Sequence, residues 1–301
     1  MTGRVLVTGA SGFIGRSVLE PLRARGFELH AASHGEPPVG ANGCTWHQVD
    51  LLEVDSRRRL LEAVAPTHLL HLAWYAVPGH FWTAPENSLW LEASLDLIAA
   101  SREMRVVMAG SCAEYDWSRG GLCRENDFCR PATPYGQAKL ALQQALFHSG
   151  HDAAWGRIFF PFGPHEPPGR LVPSVVRALL KGEPARCSHG AQVRDFLYVE
   201  DLGDAFATLL DSRLQGPVNM ASGEERSIRS LVEAIQSRLS GVVRFGDLAA
   251  PYGEPARLAA DATRLREELR WKPRVGLEAG LDRTVAWWRC EETAQRVFSD
   301  D

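Results

Sequence analysis

The chain has 301 residues, 33 Lys and Arg against 37 Asp and Glu, and a net charge of −4. That balance argues against nucleic acid or an acidic membrane as a partner, and no apolar run approaches the roughly 20 residues that span a bilayer. The length allows one large or two closely joined domains with ample core. The N-terminus enters a strand at once, leaving no signal or transit peptide, so the expected compartment is the cytoplasm.

Val5-Leu6-Val7 reads as a short buried strand, and Thr8-Gly9-Ala10-Ser11-Gly12-Phe13-Ile14-Gly15 follows directly. A helix pattern with Val18, Leu19 and Leu22 on its apolar face runs to about Arg25. Gly26 stops it, and Glu28 to Ala32 reads as a second strand. This is the opening of a βαβ unit with a glycine-rich first turn. Gly9 permits a tight turn and Gly12 lets the backbone approach a pyrophosphate. Gly15 lets the helix pack close on the sheet, its N-terminus toward the anion. The spacing is G-x-x-G-x-x-G, and its place between a strand and a helix is the context a dinucleotide site requires. Where NAD sites carry an acidic residue for the ribose hydroxyls, this chain has Ser33 and His34. A hydroxyl beside an imidazole suits a 2′-phosphate, with Arg16 a further source of charge. NADP is therefore expected in preference to NAD.

Further on, the strand Val106 to Ala109 leads to Ser111. The segment Tyr135-Gly136-Gln137-Ala138-Lys139 then sets a Tyr and a Lys four residues apart in a chain with three lysines and five tyrosines. Composition alone gives that pair about 0.05 times per chain. On a helix the two share a face, so an ammonium can lower the pKa of a phenol and suit it to proton exchange at a carbonyl or alcohol. As a bare pattern it also describes a half-buried aromatic beside an exposed base.

Strands and helices alternate to about Phe162, as a doubly wound parallel sheet requires. A proline-rich stretch, Pro161 to Pro173, marks the change to a substrate-binding segment. Asp195 to Val199 is strand-like and is expected back in the sheet, with Asp201 capping a helix through Leu210. Ser227 opens a helix of a smaller lobe. The expected fold is α/β: a Rossmann-type, doubly wound domain over residues 1–166, rejoined by 191–220, with a smaller C-terminal α/β substrate-binding lobe from 167–190 and 221–301. The six cysteines are scattered, without a C-x-x-C, and read as reduced thiols; no metal site is expected.

These pieces together carry a resemblance. Thr8 to Gly15, Asp50-Leu51, His71-Leu72-Ala73-Trp74, Ser111, Tyr135 to Lys139, Gly163-Pro164, Arg194 to Asp201, Asn219 to Gly223 and Trp271-Lys272-Pro273 recur in order along nearly the whole length. The chain resembles the extended short-chain dehydrogenase/reductase family, in its nucleotide-sugar branch. The resemblance implies a cofactor pocket from Thr8, Gly9, Ser11, Gly12, Phe13, Ile14, Gly15, Ser33, His34, Asp50 and Leu51 on one side. Leu72, Ala73, Trp74, Asn87, Tyr135, Lys139 and Phe162 complete it. It places Asp50 near the adenine and Ala73 at the nicotinamide ribose, with Asn87 supporting the pocket. Ser111 would bond the substrate oxygen, Tyr135 would exchange its proton, and Lys139 would bind the ribose and poise Tyr135. Arg194 and Arg257 match diphosphate-binding arginines, whose forked donors suit phosphate oxygens. Glu114 and Tyr115 are expected to approach the sugar. Trp74, Phe81, Trp82 and Trp90 form an aromatic cluster around the pocket, and Trp287-Trp288 is expected to pack the lobe.

Departures from the pattern narrow the chemistry. Sugar-nucleotide 4,6-dehydratases carry an Asp-Glu pair just after the Ser/Thr, where this chain has Cys112-Ala113. The epimerase–reductases that make GDP-fucose use a Cys and a His at positions matching Ala113 and Arg170, and Cys112 is expected to point away on an extended segment. Phe160 and Phe162 replace a substrate-contacting Asn and a Tyr. The implied activity is an NADP-dependent reductase of a nucleotide-linked 4-keto-6-deoxyhexose, with hydride transfer at sugar C4. The rival enzyme is an NAD-dependent nucleotide-sugar 4-epimerase; the rival of another class is a non-enzymatic dinucleotide sensor. Relatives pair the helices carrying Tyr135 and Asn87 across a homodimer interface, which is expected here too.

Overall fold

The computed structural model describes residues 3–38, 43–250 and 253–299, so residues 1–2, 39–42, 251–252 and 300–301 of the two expected lobes lie outside the described ones. The chain runs β1 (Arg4–Thr8), α1 (Phe13–Ala24), β2 (Glu28–Ser33), β3 (Thr45–Gln48), α2 (Val54–Val64), β4 (His68–His71), α3 (Glu86–Ala100) and β5 (Arg105–Ser111). A 3-10 turn (Cys112–Glu114) leads to β6 (Gly121–Cys123), α4 (Pro134–His148), β7 (Asp152–Ile158), β8 (Phe160–Phe162), α5 (Leu171–Leu180), β9 (Ala185–Cys187) and β10 (Val193–Tyr198). The remainder is α6 (Val199–Asp211), β11 (Gly216–Met220), β12 (Glu225–Ser227), α7 (Ile228–Gln236), β13 (Val243–Phe245), β14 (Arg257–Ala260), α8 (Thr263–Glu267) and α9 (Leu277–Ser299).

Seven strands form one parallel sheet in the order β11-β7-β5-β4-β1-β2-β3. Successive strand residues face opposite sides. Val5, Val7, Leu70 and Val107 therefore meet Val18 and Leu22 of α1 and Leu202 and Phe206 of α6. Leu6, Leu69, Val106 and Met108 meet Leu60 and Val64 of α2, Leu97 of α3 and Leu142 and Leu146 of α4. Because both faces are covered, the strands read as unbroken apolar runs rather than as alternating ones. Strand order reverses at β1 and β4, which opens a crevice beyond their carboxyl ends.

The smaller lobe has its own sheet, β12-β10-β14-β6 with β8 on β10, and a β9–β13 pair. Its core joins Val172 and Val176 of α5, Leu231 and Ile235 of α7, and Leu281 and Trp288 of α9, with Trp287 packed against it.

Three expectations are corrected. β10 does not join the large sheet; the return is made by α6, which covers that sheet, and by β11 at its edge. The alternation of β10 explains this, since Leu197 enters the large core while Phe196 and Tyr198 enter the lobe core. Asp201 does not cap α6, whose cap position is Tyr198. Its buried carboxylate instead accepts the backbone N–H groups of Arg274 and Val275, both at 2.9 Å, and latches the lobe to the helix. Cys112 lies in a 3-10 turn, not on an extended segment, and faces the main cavity. Among the described residues no helix is long and apolar enough to cross a membrane, and no cluster of His, Cys, Asp or Glu is arranged to hold a metal.

Candidate active site

The crevice at β1 and β4 is built largely from backbone. Gly9 has φ +68°, and a Cβ there would lie 2.8 Å from the backbone of Ala73. A Cβ on Gly15 would overlap the Gly9 carbonyl oxygen, so only glycine lets α1 start this close to the turn. The helix opens at Gly12 with no side-chain cap and no acidic residue in its first turn, leaving its N–H groups free for an anion. Thr8 Oγ1 and His71 Nδ1 are 2.7 Å apart, and His71 Nε2 lies 2.9 Å from Ser94 Oγ, which ties the ends of β1 and β4 together. Burial, reinforced by the nearby Lys139 charge, pushes His71 down to about 3, so this pair stays neutral. An open anion cradle at an uncapped helix start fits a dinucleotide pyrophosphate, with Thr8, Ser11, Phe13 and Ile14 completing the loop around the glycines.

Ser33 at the end of β2 is buried and donates to Gly35 O at 2.7 Å, while His34 is exposed, 3.9 Å from Asp50. Asp50 also accepts the Leu52 N–H at 2.8 Å, and Leu51 is buried. Phe162 lies in the lobe core, 5.7 Å from Tyr198, and does not line the main cavity.

The main cavity, about 470 Å³, continues from this crevice and is lined by Ile14, Leu72, Trp74, Ser111, Tyr135 and Lys139, among others. Ser111 ends β5 and caps the 3-10 turn, its Oγ accepting the Ala113 N–H at 3.1 Å. Thr133 caps α4 by accepting the Gly136 N–H at 3.1 Å. A Cβ on Gly136 would overlap the Ala113 carbonyl oxygen, and that close approach brings Tyr135 to Ser111. The Tyr135 ring is boxed edge-on by Phe81 at 4.9 Å, Trp82 at 5.8 Å and Trp74 at 6.3 Å. This enclosure pushes its hydroxyl above the ordinary tyrosine range, with the Ser111 hydroxyl opposing the shift.

Lys139, one helical turn on, is buried. Its Nζ donates to Ala109 O at 3.0 Å and sits 3.6 Å over the Trp74 ring. Trp74 is itself held, its Nε1 donating to Asn87 Oδ1 at 2.9 Å, while Asn87 Nδ2 donates to Phe81 O at 2.7 Å. Burial brings Lys139 down to about 7, against a pull upward from Glu114. The expected depression of Tyr135 by Lys139 is not what governs this geometry. Burial dominates and keeps the Tyr135 phenol protonated.

Glu114 and Tyr115 turn away from the cavity. Glu114 is fully buried, accepting the Ser111 N–H at 2.7 Å, Trp155 Nε1 at 3.0 Å and Arg157 Nε at 2.8 Å. It fixes the Ser111 backbone instead of touching a sugar. Tyr115 donates to Asn219 Oδ1 at 2.7 Å and accepts from Arg157 at 2.9 Å. Arg194 does line the cavity, but its guanidinium donates to Glu254 at 2.7 Å and to Val193 O at 2.8 Å. Arg257 is exposed, paired with both oxygens of Glu225 at 2.7 and 2.5 Å, and lies outside the lining.

Residues 5–221 match the NAD dependent epimerase/dehydratase family. The chain belongs to that family. Its members are NAD(P)-dependent oxidoreductases and epimerases of the extended short-chain dehydrogenase/reductase type, acting as nucleotide-sugar epimerases, dehydratases and reductases. A dTDP-4-dehydro-6-deoxy-D-allose reductase of Streptomyces bikiniensis is 29% identical, over 95% of this chain and 96% of its own. The UDP-glucose 4-epimerase of Thermus thermophilus, solved with NAD, aligns at TM-score 0.84 and 27% identity over 95% of this chain and 99% of its own. MoeE5, solved with UDP-glucuronic acid and NAD, aligns at TM-score 0.81 and 28% identity over 96% and 100%.

When bound, the family's nicotinamide dinucleotide supplies the redox step. The glycine turn and the start of α1 would hold its pyrophosphate, and Lys139 and Trp74 lie where the crevice opens into the main cavity. What sequence reading missed is on the substrate side: Glu254, Trp117, Phe159 and Leu258 line the cavity with Phe160. Glu254 lies 60 residues from Arg194, so no local pattern announces their pairing.

Proposed function

We propose that this family member is an NADP-dependent reductase of a nucleotide-linked 4-keto-6-deoxyhexose. Tyr135 donates the proton to the C4 oxygen, Ser111 orients that oxygen, and Lys139 supports both the cofactor ribose and the site's charge. The observation that carries this reading is how few proton carriers the cavity offers. Among its described lining residues the one carboxylate, Glu254, is bound to Arg194, and Glu114 is locked against Arg157. Burial pushes the Cys112 thiol far up, which keeps it protonated and unreactive as a base. Removing a proton from a neighbouring carbon, as dehydration demands, has no carboxylate base free in this lining; reduction needs only a proton from Tyr135 at the C4 oxygen as the cofactor's hydride reaches C4. The Streptomyces bikiniensis reductase supports the same direction.

NADP is favoured over NAD by the absence of a carboxylate at the end of β2. There His34 is exposed, and Arg16, whose Nε donates to Ser11 O at 2.7 Å, is held against the nucleotide loop. A homodimer built on α3 and α4 fits their exposed Leu89, Leu95 and Phe147. The second reading, a 4-epimerase that retains NAD, draws on the likeness to the Thermus thermophilus epimerase.

Cofactor content separates the two. Purified protein is denatured and assayed for released dinucleotide, and cofactor-free protein is titrated with NADPH and NADH. The reductase predicts loosely held cofactor and NADPH binding at least about ten-fold tighter, a difference of ~1.4 kcal/mol. Stoichiometric, retained NAD would make the epimerase the better reading.

A further inference from the structure

Arg170 is the cation of the main cavity that no hydrogen bond or ion pair from a side chain holds among the described residues. It stands at the start of α5 and lines both the main cavity and an adjoining one of about 190 Å³ that runs toward Phe196 and Ile228. Its Nε is buried without a hydrogen-bond partner, and its guanidinium sits 5.9 Å over the Phe81 ring, a wall of the Tyr135 box. The other cations of the main cavity are committed: Lys139 to Ala109 O and the Trp74 face, Arg194 to Glu254. The carboxyl group beside Arg170 in the smaller cavity is Glu166, which is also buried and has an oxygen without a partner. Burial pushes Glu166 up to about 8 against the pull of Arg170, and no hydrogen bond joins the two side chains. A cation in an aromatic cavity is costly to hold unless an anion meets it.

We propose that Arg170 grips anionic oxygens of the substrate, taking the anchoring role expected of Arg194 and Arg257. Arg257 lies outside the cavity on Glu225, and Arg194 already has its carboxylate. The forked donors of Arg170 match the diphosphate, which is the anionic group of a nucleotide-linked 6-deoxyhexose. This assignment rests on the nucleotide-sugar reading.

The test is tryptophan-fluorescence titration of the dinucleotide-loaded protein, since Trp74, Trp82 and Trp117 line the cavity. UDP, dTDP, GDP and CDP are titrated first. The tightest is followed by its glucose and glucuronic acid conjugates, on wild type, Arg170→Met and Arg170→Lys. Loss of at least about ten-fold in Arg170→Met, partly restored in Arg170→Lys, is expected for a charge-assisted contact. A loss shared by the free nucleoside diphosphate assigns Arg170 to the diphosphate; a loss confined to the glucuronic acid conjugate places it against a sugar carboxylate and overturns both this assignment and the 6-deoxyhexose reading. Unchanged affinity for all three, in a variant that melts where wild type melts, overturns the assignment. Should Arg170→Met not fold, Arg170→Gln is read the same way. Wild type that binds none of the four nucleotides overturns the nucleotide-sugar reading itself, and the assignment with it.

Discussion

The two ends of the main cavity are built on different principles. The cofactor end is a backbone construction in which Gly9, Gly15 and the uncapped start of α1 make an anion cradle within a few consecutive residues. The substrate end is a side-chain construction, drawing Phe160, Arg170, Arg194 and Glu254 from three separate segments of the chain. At Gly9 and Gly15 the first leaves no room for a side chain. In the second, an ion pair between distant segments, Arg194–Glu254, sets which charge faces the cavity. Tyr135 stands where the two meet.

Breaking that junction should have the largest effect on turnover. Tyr135→Phe removes the proton donor and is expected to lower kcat by about 10²- to 10⁴-fold. Dinucleotide affinity, measured by titration, should stay close to wild type, because the cradle is untouched. Full turnover in the variant would sink the mechanism.

Glu114→Gln attacks the support behind the substrate end. It leaves Arg157 buried without its carboxylate and weakens the hold on the Ser111 backbone. The expected cost is about 3–5 kcal/mol of stability, read from urea denaturation. A midpoint unchanged from wild type would show that the buried pair contributes nothing.

Lys139 sharpens the cofactor end through pH, with a smaller effect. Its folded value, about 7, lies below the ordinary lysine value of 10.5. Across that interval the unfolded chain holds a proton the native protein has released, so the stability of cofactor-free protein should rise with pH there. Lys139→Met should flatten the slope in thermal melts taken across the window; a slope that survives the substitution belongs to another group.

How much could be read in advance follows the same division. The βαβ opening, the parallel sheet and the Tyr135–Lys139 face were legible because each depends on residues a few positions apart. Glu114 was misplaced because it follows closely on Ser111, which lines the cavity, whereas its partners, Trp155 and Arg157, arrive from β7. Asp201 looked like a helix cap because an acidic residue in a first turn commonly is one. Its real partners, the N–H groups of Arg274 and Val275, are more than seventy residues away.

The sequence by itself determined the local frame of the cofactor half: the strand, turn and helix that open the chain, where glycine must stand, and which tyrosine and lysine share a helix face. Those follow from local sterics and the 3.6- and 2-residue periods, which short stretches encode in full. Only the tertiary structure decided the charges. Which carboxylate neutralises Arg194, which strand feeds two cores, and which cation of the cavity is left without a hydrogen-bonded partner all depend on contacts between segments distant in sequence. In a low-dielectric interior each such pairing is settled by which groups arrive together.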